Sequence, residues 1–171
     1  MLNSCHSVRI EIMPDKKALV VCVGNSLVGD DAAGCAVYEL LSREPLPDGA
    51  RLQLLGVGGI SLLECLEGES IMIVVDAVQL GADPGTIHIF DWDELPQAGA
   101  GAVSAHGVGL REAIALGRIL SPEAMPQKVL LIGIEGASFD TIGAAMTPAV
   151  ASAVEKCADE VRRQLSSLMR N

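Results

Sequence analysis

Three runs of apolar residues, each about as long as one strand, constrain the fold of this chain most strongly. They span Ala18–Val23, Ile71–Val75 and Val129–Ile134, and they are rich in β-branched residues. Continuous apolar runs of this kind are typical of strands that helices cover on both faces of a parallel sheet. Helical patterns lie between them, so the sequence predicts an α/β fold.

Two further strands complete the predicted sheet. One is predicted over Arg51–Val57, and the other over Thr86–Phe90, where apolar and polar residues alternate. The second follows the Gly81–Gly85 turn by a short connection, which indicates a strand antiparallel to its neighbours at an edge of the sheet. We therefore expect five strands, four of them parallel.

Helices are predicted where apolar residues recur every three or four positions. The four predicted helices run from near Asp31 to Leu41, around Leu62–Leu66, over Leu110–Leu120 and from Pro148 to Leu168. Residues 1–16 are assigned to an N-terminal extension or tail, and residues 17–171 to a single domain.

Composition narrows the function classes. The formal charge of −10 makes nucleic acid and anionic membrane surfaces poor partners, whereas basic peptide segments remain possible ones. No apolar run approaches the length of a membrane span. The five cysteines are an odd number without a C-x-x-C pair, so we expect no disulfide framework and a cytoplasmic location.

A glycine-punctuated turn with two adjacent acids follows the first strand, over Gly24–Gly34 (GNSLVGDDAAG). Asp30 and Asp31 stand where a phosphate-binding loop would have its Lys and Ser or Thr, so this turn favours a cation over a phosphate. One of the two acids could simply cap the following helix. The other would then be left as a metal ligand or a general base.

Asp31, Asp76 and His106 are the candidate catalytic and metal-binding residues. Asp31 and Asp76 follow two different buried strands, and the carboxyl ends of parallel strands meet at one edge of the sheet. His106 lies in a long Gly- and Ala-rich segment that can reach this edge. Two carboxylates and an imidazole suit a borderline divalent ion such as nickel, zinc or cobalt. Each residue also has a plain structural alternative, namely a turn cap for either acid and a solvent-exposed side chain for the histidine.

Several motifs in the same order resemble those of the hydrogenase maturation proteases, over about residues 18–168. The acidic turn is similar to the family's G-N-x-L-x-x-D-[DE]-x-x-G signature. Three later segments also match: Val74–Val78 with Pro84–Thr86, Ser104–Leu110 (SAHGVGL), and Gly133–Ile134 with Met146–Val150.

The resemblance implies a three-layer α/β/α sandwich whose five-stranded sheet is mostly parallel with one antiparallel strand. It implies an endopeptidase that removes the C-terminal extension of the large-subunit precursor of a nickel-iron hydrogenase. Nickel would belong to the precursor, and Asp31, Asp76 and His106 would recognise it. The segment Gly56–Ile60 lacks the acidic and Thr residues that accompany these glycines in many family members, so precursor recognition is expected to differ here.

Two alternatives belong to other function classes. A non-catalytic metal-binding assembly factor could use the same fold, because fold does not dictate function. A magnesium-dependent receiver-like domain also gathers acids at strand ends, but it needs a Lys at the end of its last strand. Here that end reads Gly133-Ile134-Glu135, and the nearby Lys128 stands at the other end.

Overall fold

The computed structural model describes residues 17–56, 59–95 and 107–170, and for residues 107 and 108 it describes the backbone alone. The predicted N-terminal extension, residues 1–16, lies outside the described residues. The strands are β1 (Ala18–Val23), β2 (Ala50–Leu55), β3 (Ile71–Val78), β4 (Ile87–Asp91) and β5 (Lys128–Glu135). The helices are α1 (Ala33–Leu41), α2 (Ser61–Glu64), α3 (Gly107–Leu120) and α4 (Pro148–Arg170).

The five strands form one sheet in the order β2-β1-β3-β5-β4. All neighbouring pairs are parallel except β4 with β5, which is antiparallel. The predicted α/β class and the single antiparallel strand are therefore confirmed. The edge at which the four parallel strands end is called the carboxyl edge below.

Alternate residues of the central strands face two separate hydrophobic clusters, one on each side of the sheet. On one side, Val20 and Ile73 pack with residues of α1 and α4 such as Val37 and Val161. On the other side, Val21 and Val74 pack with residues of α2 and α3, among them Leu62 and Ile114. Helices thus cover both faces, as the three-layer sandwich requires, and the core is almost entirely aliphatic.

The ends of β2 and β3 each differ from the predicted ones by two residues, and strand pairing explains both. The end of β2 at Leu55 comes earlier than predicted, because its partner β1 ends at the paired residue Val23. The prediction ended β3 at Asp76, but β3 continues to Val78, since Asp76–Val78 pair with Gly133–Glu135 of β5. Asp76 is therefore a strand residue, one position beyond the last pair between β1 and β3, which joins Cys22 and Val75.

Among the described residues, no helix combines the length and the apolar character needed to cross a lipid bilayer.

Candidate active site

The chain leaves the adjacent strands β1 and β3 toward opposite sides. After β1 it passes through α1 to β2, whereas after β3 it passes to β4, α3 and β5. The carboxyl ends of β1 and β3 therefore flank a topological switch point, which is where open α/β sheets bind their ligands. Asp31 and Asp76 both belong to this point.

Two glycines allow the turn after β1 to close tightly. A Cβ on Gly24 would lie 2.4 Å from the backbone oxygen of Asp31, and a Cβ on Gly34 would lie 1.9 Å from the backbone oxygen of Val23. Both distances are far inside van der Waals contact. Because no side chain fits at either position, the turn can bring Asp31 back against the end of β1.

Asp31 lies in the short 3-10 turn Gly29–Ala32 and is 5% exposed. This turn contacts β3, the strand that carries Asp76. The pKa of the neighbouring Cys35 thiol is raised, first by burial and next by the nearby Asp31 carboxylate. A buried carboxylate thus faces the switch point from the β1 side.

Asp76 approaches the switch point from β3 and is 1% exposed. Its Oδ1 accepts a hydrogen bond from the backbone N–H of Ala77 at 2.9 Å. Met72, Val74 and Val78 of the same strand belong to the cluster under α2 and α3, so the alternation of strand residues places Asp76 on the α3 face.

His106, the third predicted site residue, lies outside the described residues. The next residue, Gly107, begins α3, the helix that covers the face on which Asp76 lies. The start of α3 is also close to the residues just before α2, because a Cβ on Gly109 would lie 3.3 Å from the Cα of Gly59. Within the described part of the chain, no three His, Cys, Asp or Glu residues are arranged to hold a metal ion. A site built on Asp31 and Asp76 thus requires a further ligand, which the prediction takes from His106.

Asp30 has a different role from its neighbour. It is fully buried, and its carboxylate accepts hydrogen bonds from the backbone N–H groups of Ala137, Ser138 and Thr147 and from Oγ1 of Thr147, at 2.7–3.1 Å. Burial by itself would raise the pKa of Asp30, but these hydrogen bonds outweigh it and hold the pKa below its ordinary value. Of the two adjacent acids, Asp30 is therefore the structural one. The sequence suggested that one of these acids caps the helix that follows it. Asp30 instead caps the distant helix α4.

Glu135, at the end of β5, is a fourth buried acid near the carboxyl edge, and the sequence did not predict a role of its own for it. Its Oε1 accepts hydrogen bonds from the backbone N–H groups of Leu80 and Gly81, both at 2.8 Å, and its Oε2 lies 3.0 Å from Nε2 of His88. These contacts hold the turn after β3 against β5. The pairing of β4 with β5 creates them, so no local sequence pattern could have indicated them.

Glu135 also occupies the position where a receiver-like domain would need its Lys. Lys128 stands at the first residue of β5, at the opposite edge, and forms an ion pair with Asp91. The described geometry thus lacks the feature that this alternative requires.

The buried thiols are unsuited to nucleophilic attack. Cys22 and Cys157 are both fully buried. Burial raises the pKa of Cys157 to about 12 and raises that of Cys22 further. Since the thiolate is the nucleophilic form, neither cysteine supplies one near neutral pH.

Two buried carboxylates at a switch point define an α/β protein with an acidic candidate site, of the kind that suits a divalent cation or a general base. Comparison with known proteins identifies the family within this class. The family model HycI, described as hydrogenase maturation protease, matches residues 35–164. The chain belongs to the hydrogenase maturation protease family.

Individual relatives agree with this assignment. The chain is 34% identical over 139 residues to the hydrogenase expression/formation protein HupM of Azotobacter chroococcum, a match that covers 80% of this chain and 66% of HupM. It is 32% identical over 152 residues to HupD of Rhodobacter capsulatus, covering 88% of this chain and 71% of HupD. The chain thus spans slightly less than two thirds of HupM.

A solved structure shows the same architecture. The hydrogenase maturating endopeptidase HybD of Escherichia coli superimposes with a TM-score of 0.78 and 28% sequence identity, covering 88% of this chain and 93% of HybD. HybD of Thermococcus kodakarensis superimposes with a TM-score of 0.72, and at 23% identity it supports the fold alone. The mixed five-stranded sheet predicted from the resemblance is therefore that of the family.

Proposed function

We propose that this chain is an endopeptidase that removes the C-terminal extension of a nickel-loaded hydrogenase large-subunit precursor. One observation carries the proposal: Asp31 and Asp76 are buried carboxylates on neighbouring elements at the switch point, in a chain of the hydrogenase maturation protease family. A buried carboxylate is retained where hydrogen bonds or a cation compensate its charge, or where it takes part in chemistry. The precursor supplies that cation in this proposal.

In the proposed reaction, Asp31 and Asp76 bind the nickel of the precursor together with His106. Carboxylate oxygens and an imidazole nitrogen suit nickel, and they leave coordination positions for the precursor's own ligands. This contact would hold the scissile peptide bond next to the two carboxylates. The ion would supply Lewis acidity, and a carboxylate that is not fully engaged by it would accept the proton of the attacking water and pass it to the nitrogen of the leaving amine.

The location proposed for this reaction is the cytoplasm. The described cysteines, Cys22, Cys35, Cys65 and Cys157, carry free thiols, which supports a reducing compartment.

A non-catalytic assembly factor is the second candidate. The name of the relative HupM, hydrogenase expression/formation protein, states a role in hydrogenase expression or formation without stating proteolysis. Such a factor would bind the precursor through the same acids and leave its C-terminal extension in place.

In the deciding experiment, the protein is incubated with the hydrogenase large-subunit precursor from the same organism, and the mass of the precursor is measured over time. The proposal predicts loss of the C-terminal extension with the wild type and none with Asp76→Asn. Glu69→Gln is the matched control, because Glu69 is equally buried and its Oε1 binds Arg51 at a position remote from the carboxyl edge. Binding without any cleavage would establish the assembly factor instead.

A further inference from the structure

Among the described residues, three large apolar side chains are exposed at the carboxyl edge: Ile60, which follows β2 and is 62% exposed, and two others that lie on paired backbone segments. Leu27 is 64% exposed and lies in the turn between β1 and Asp31, while Ile142 is 81% exposed and lies in the segment between β5 and α4. The two are called the rim pair below. Single exposed apolar residues are common, but these two share one small backbone unit beside the candidate site.

The backbone under the rim pair is fixed. Val28 and Ile142 form an isolated antiparallel bridge, and the backbone N–H of Gly143 donates to the backbone oxygen of Leu27 at 2.7 Å. Asp30 ties the same two segments together through its hydrogen bonds to Ala137 and Ser138. Exposed apolar side chains on a rigid backbone lose little conformational freedom on binding, which favours association.

The loop segments at this edge carry acidic residues and no basic ones. The four segments that follow the parallel strands or join β3 to β4 at this edge are residues 24–32, 56–60, 79–86 and 136–147, and they contain no Lys, Arg or His. They carry Asp83 and Asp140 in addition to Asp30 and Asp31. The chain's Lys and Arg residues, Arg111 of α3 included, lie outside these four segments, so the segments are complementary to a partner that carries positive charge.

We propose that the rim pair is the contact surface for the hydrogenase precursor and that it receives a part of the precursor that combines apolar side chains with positive charge. This inference rests on the proposed function, because the precursor is the partner that must reach Asp31 and Asp76. The apolar contact supplies affinity, and the acidic edge selects the charge of the partner.

The test measures precursor cleavage and, in parallel, precursor binding by calorimetry. In Leu27→Ser/Ile142→Ser, we expect the KM and the Kd to rise about tenfold or more with kcat little changed. This pattern is expected when a substitution weakens the binding of the substrate and of the transition state equally. The matched control is Ile119→Ser/Leu120→Ser. These residues are 76% and 67% exposed, and they lie at the other end of α3, away from the carboxyl edge. The control should leave KM and Kd unchanged.

Charge selection is tested by two variants of similar size and opposite charge, Ile142→Glu and Ile142→Lys. Both lose the apolar contact, but the edge should bind the precursor more tightly with Glu than with Lys, and the difference should shrink as salt is raised. Equal binding of the two variants would contradict the positive charge assigned to the partner.

The outcomes separate the two proposals. Normal cleavage and binding by Leu27→Ser/Ile142→Ser, at an unchanged melting temperature, would overturn the contact surface and leave the protease intact. A wild type that binds the precursor through the rim pair but never cleaves it would overturn the protease and leave the contact surface intact. A wild type that neither binds nor cleaves would overturn both.

Discussion

Asp30 and Thr147 are 117 residues apart in the sequence, and the carboxylate of Asp30 accepts hydrogen bonds from both the backbone N–H and Oγ1 of Thr147. Thr147 directly precedes α4, so the carboxylate lies at the positive end of a helix dipole. The backbone N–H of Asp30 in turn donates to the backbone oxygen of Ser138 at 2.8 Å. The turn that carries Asp31 is thereby attached to the segment that leads into α4.

Replacing Asp30 with Asn should destabilise the protein by at least about 2 kcal/mol, because hydrogen bonds to a charged acceptor are lost and buried donors are left unpaired. Chemical denaturation at neutral pH measures this change. The variant should also bind divalent metal more weakly than Glu135→Gln, which alters an equally buried carboxylate that does not hold the Asp31 turn. Unchanged stability would contradict the contacts assigned to Asp30.

The stability should also depend on pH in a defined direction. The folded-state pKa of Asp30 lies below its ordinary value of 3.8, so its contribution is complete above that value and is lost as the pH falls below it. We expect the wild type to lose more free energy of unfolding than Asp30→Asn when the pH falls from about 6 to about 3. Parallel pH profiles for the two proteins would show that Asp30 is not the group responsible.

Gly34→Ala should be destabilising by about 1–3 kcal/mol or more, because the added Cβ would overlap the backbone oxygen of Val23 and force β1 and α1 apart. Gly56→Ala is the matched control, since a Cβ there meets nothing within 4 Å. Thermal melts of the two variants provide the comparison. A Gly34→Ala protein as stable as Gly56→Ala would contradict the close approach of helix and strand.

His106→Ala should abolish precursor cleavage while the melting temperature stays within a few degrees of the wild type. The reason is that His106 is predicted to supply the imidazole of the metal site. Asp31→Asn should show the same loss of cleavage. Full activity of His106→Ala would remove the imidazole from the proposed site and leave the two carboxylates to act without it.

The sequence predicts the position of a residue in the fold where that position depends on a single strand or turn. The apolar run before Asp76 identifies a buried strand, and the acids after Val23 identify the carboxyl edge, because both follow from strand and turn patterns. The role of Asp30 could not be predicted in the same way, since its partners Ala137 and Thr147 come from a distant segment without periodicity. The sequence could only indicate that one of two adjacent acids is structural, and the tertiary contacts identify which one.

The most direct test of the central claim compares the same precursor with and without nickel. The precursor is prepared in both forms, each is mixed with the protein, and the product masses are read by mass spectrometry. Only the nickel-loaded precursor should lose its C-terminal extension, and Asp31→Asn or Asp76→Asn should prevent this loss. Equal cleavage of the nickel-free precursor would contradict nickel recognition by Asp31, Asp76 and His106.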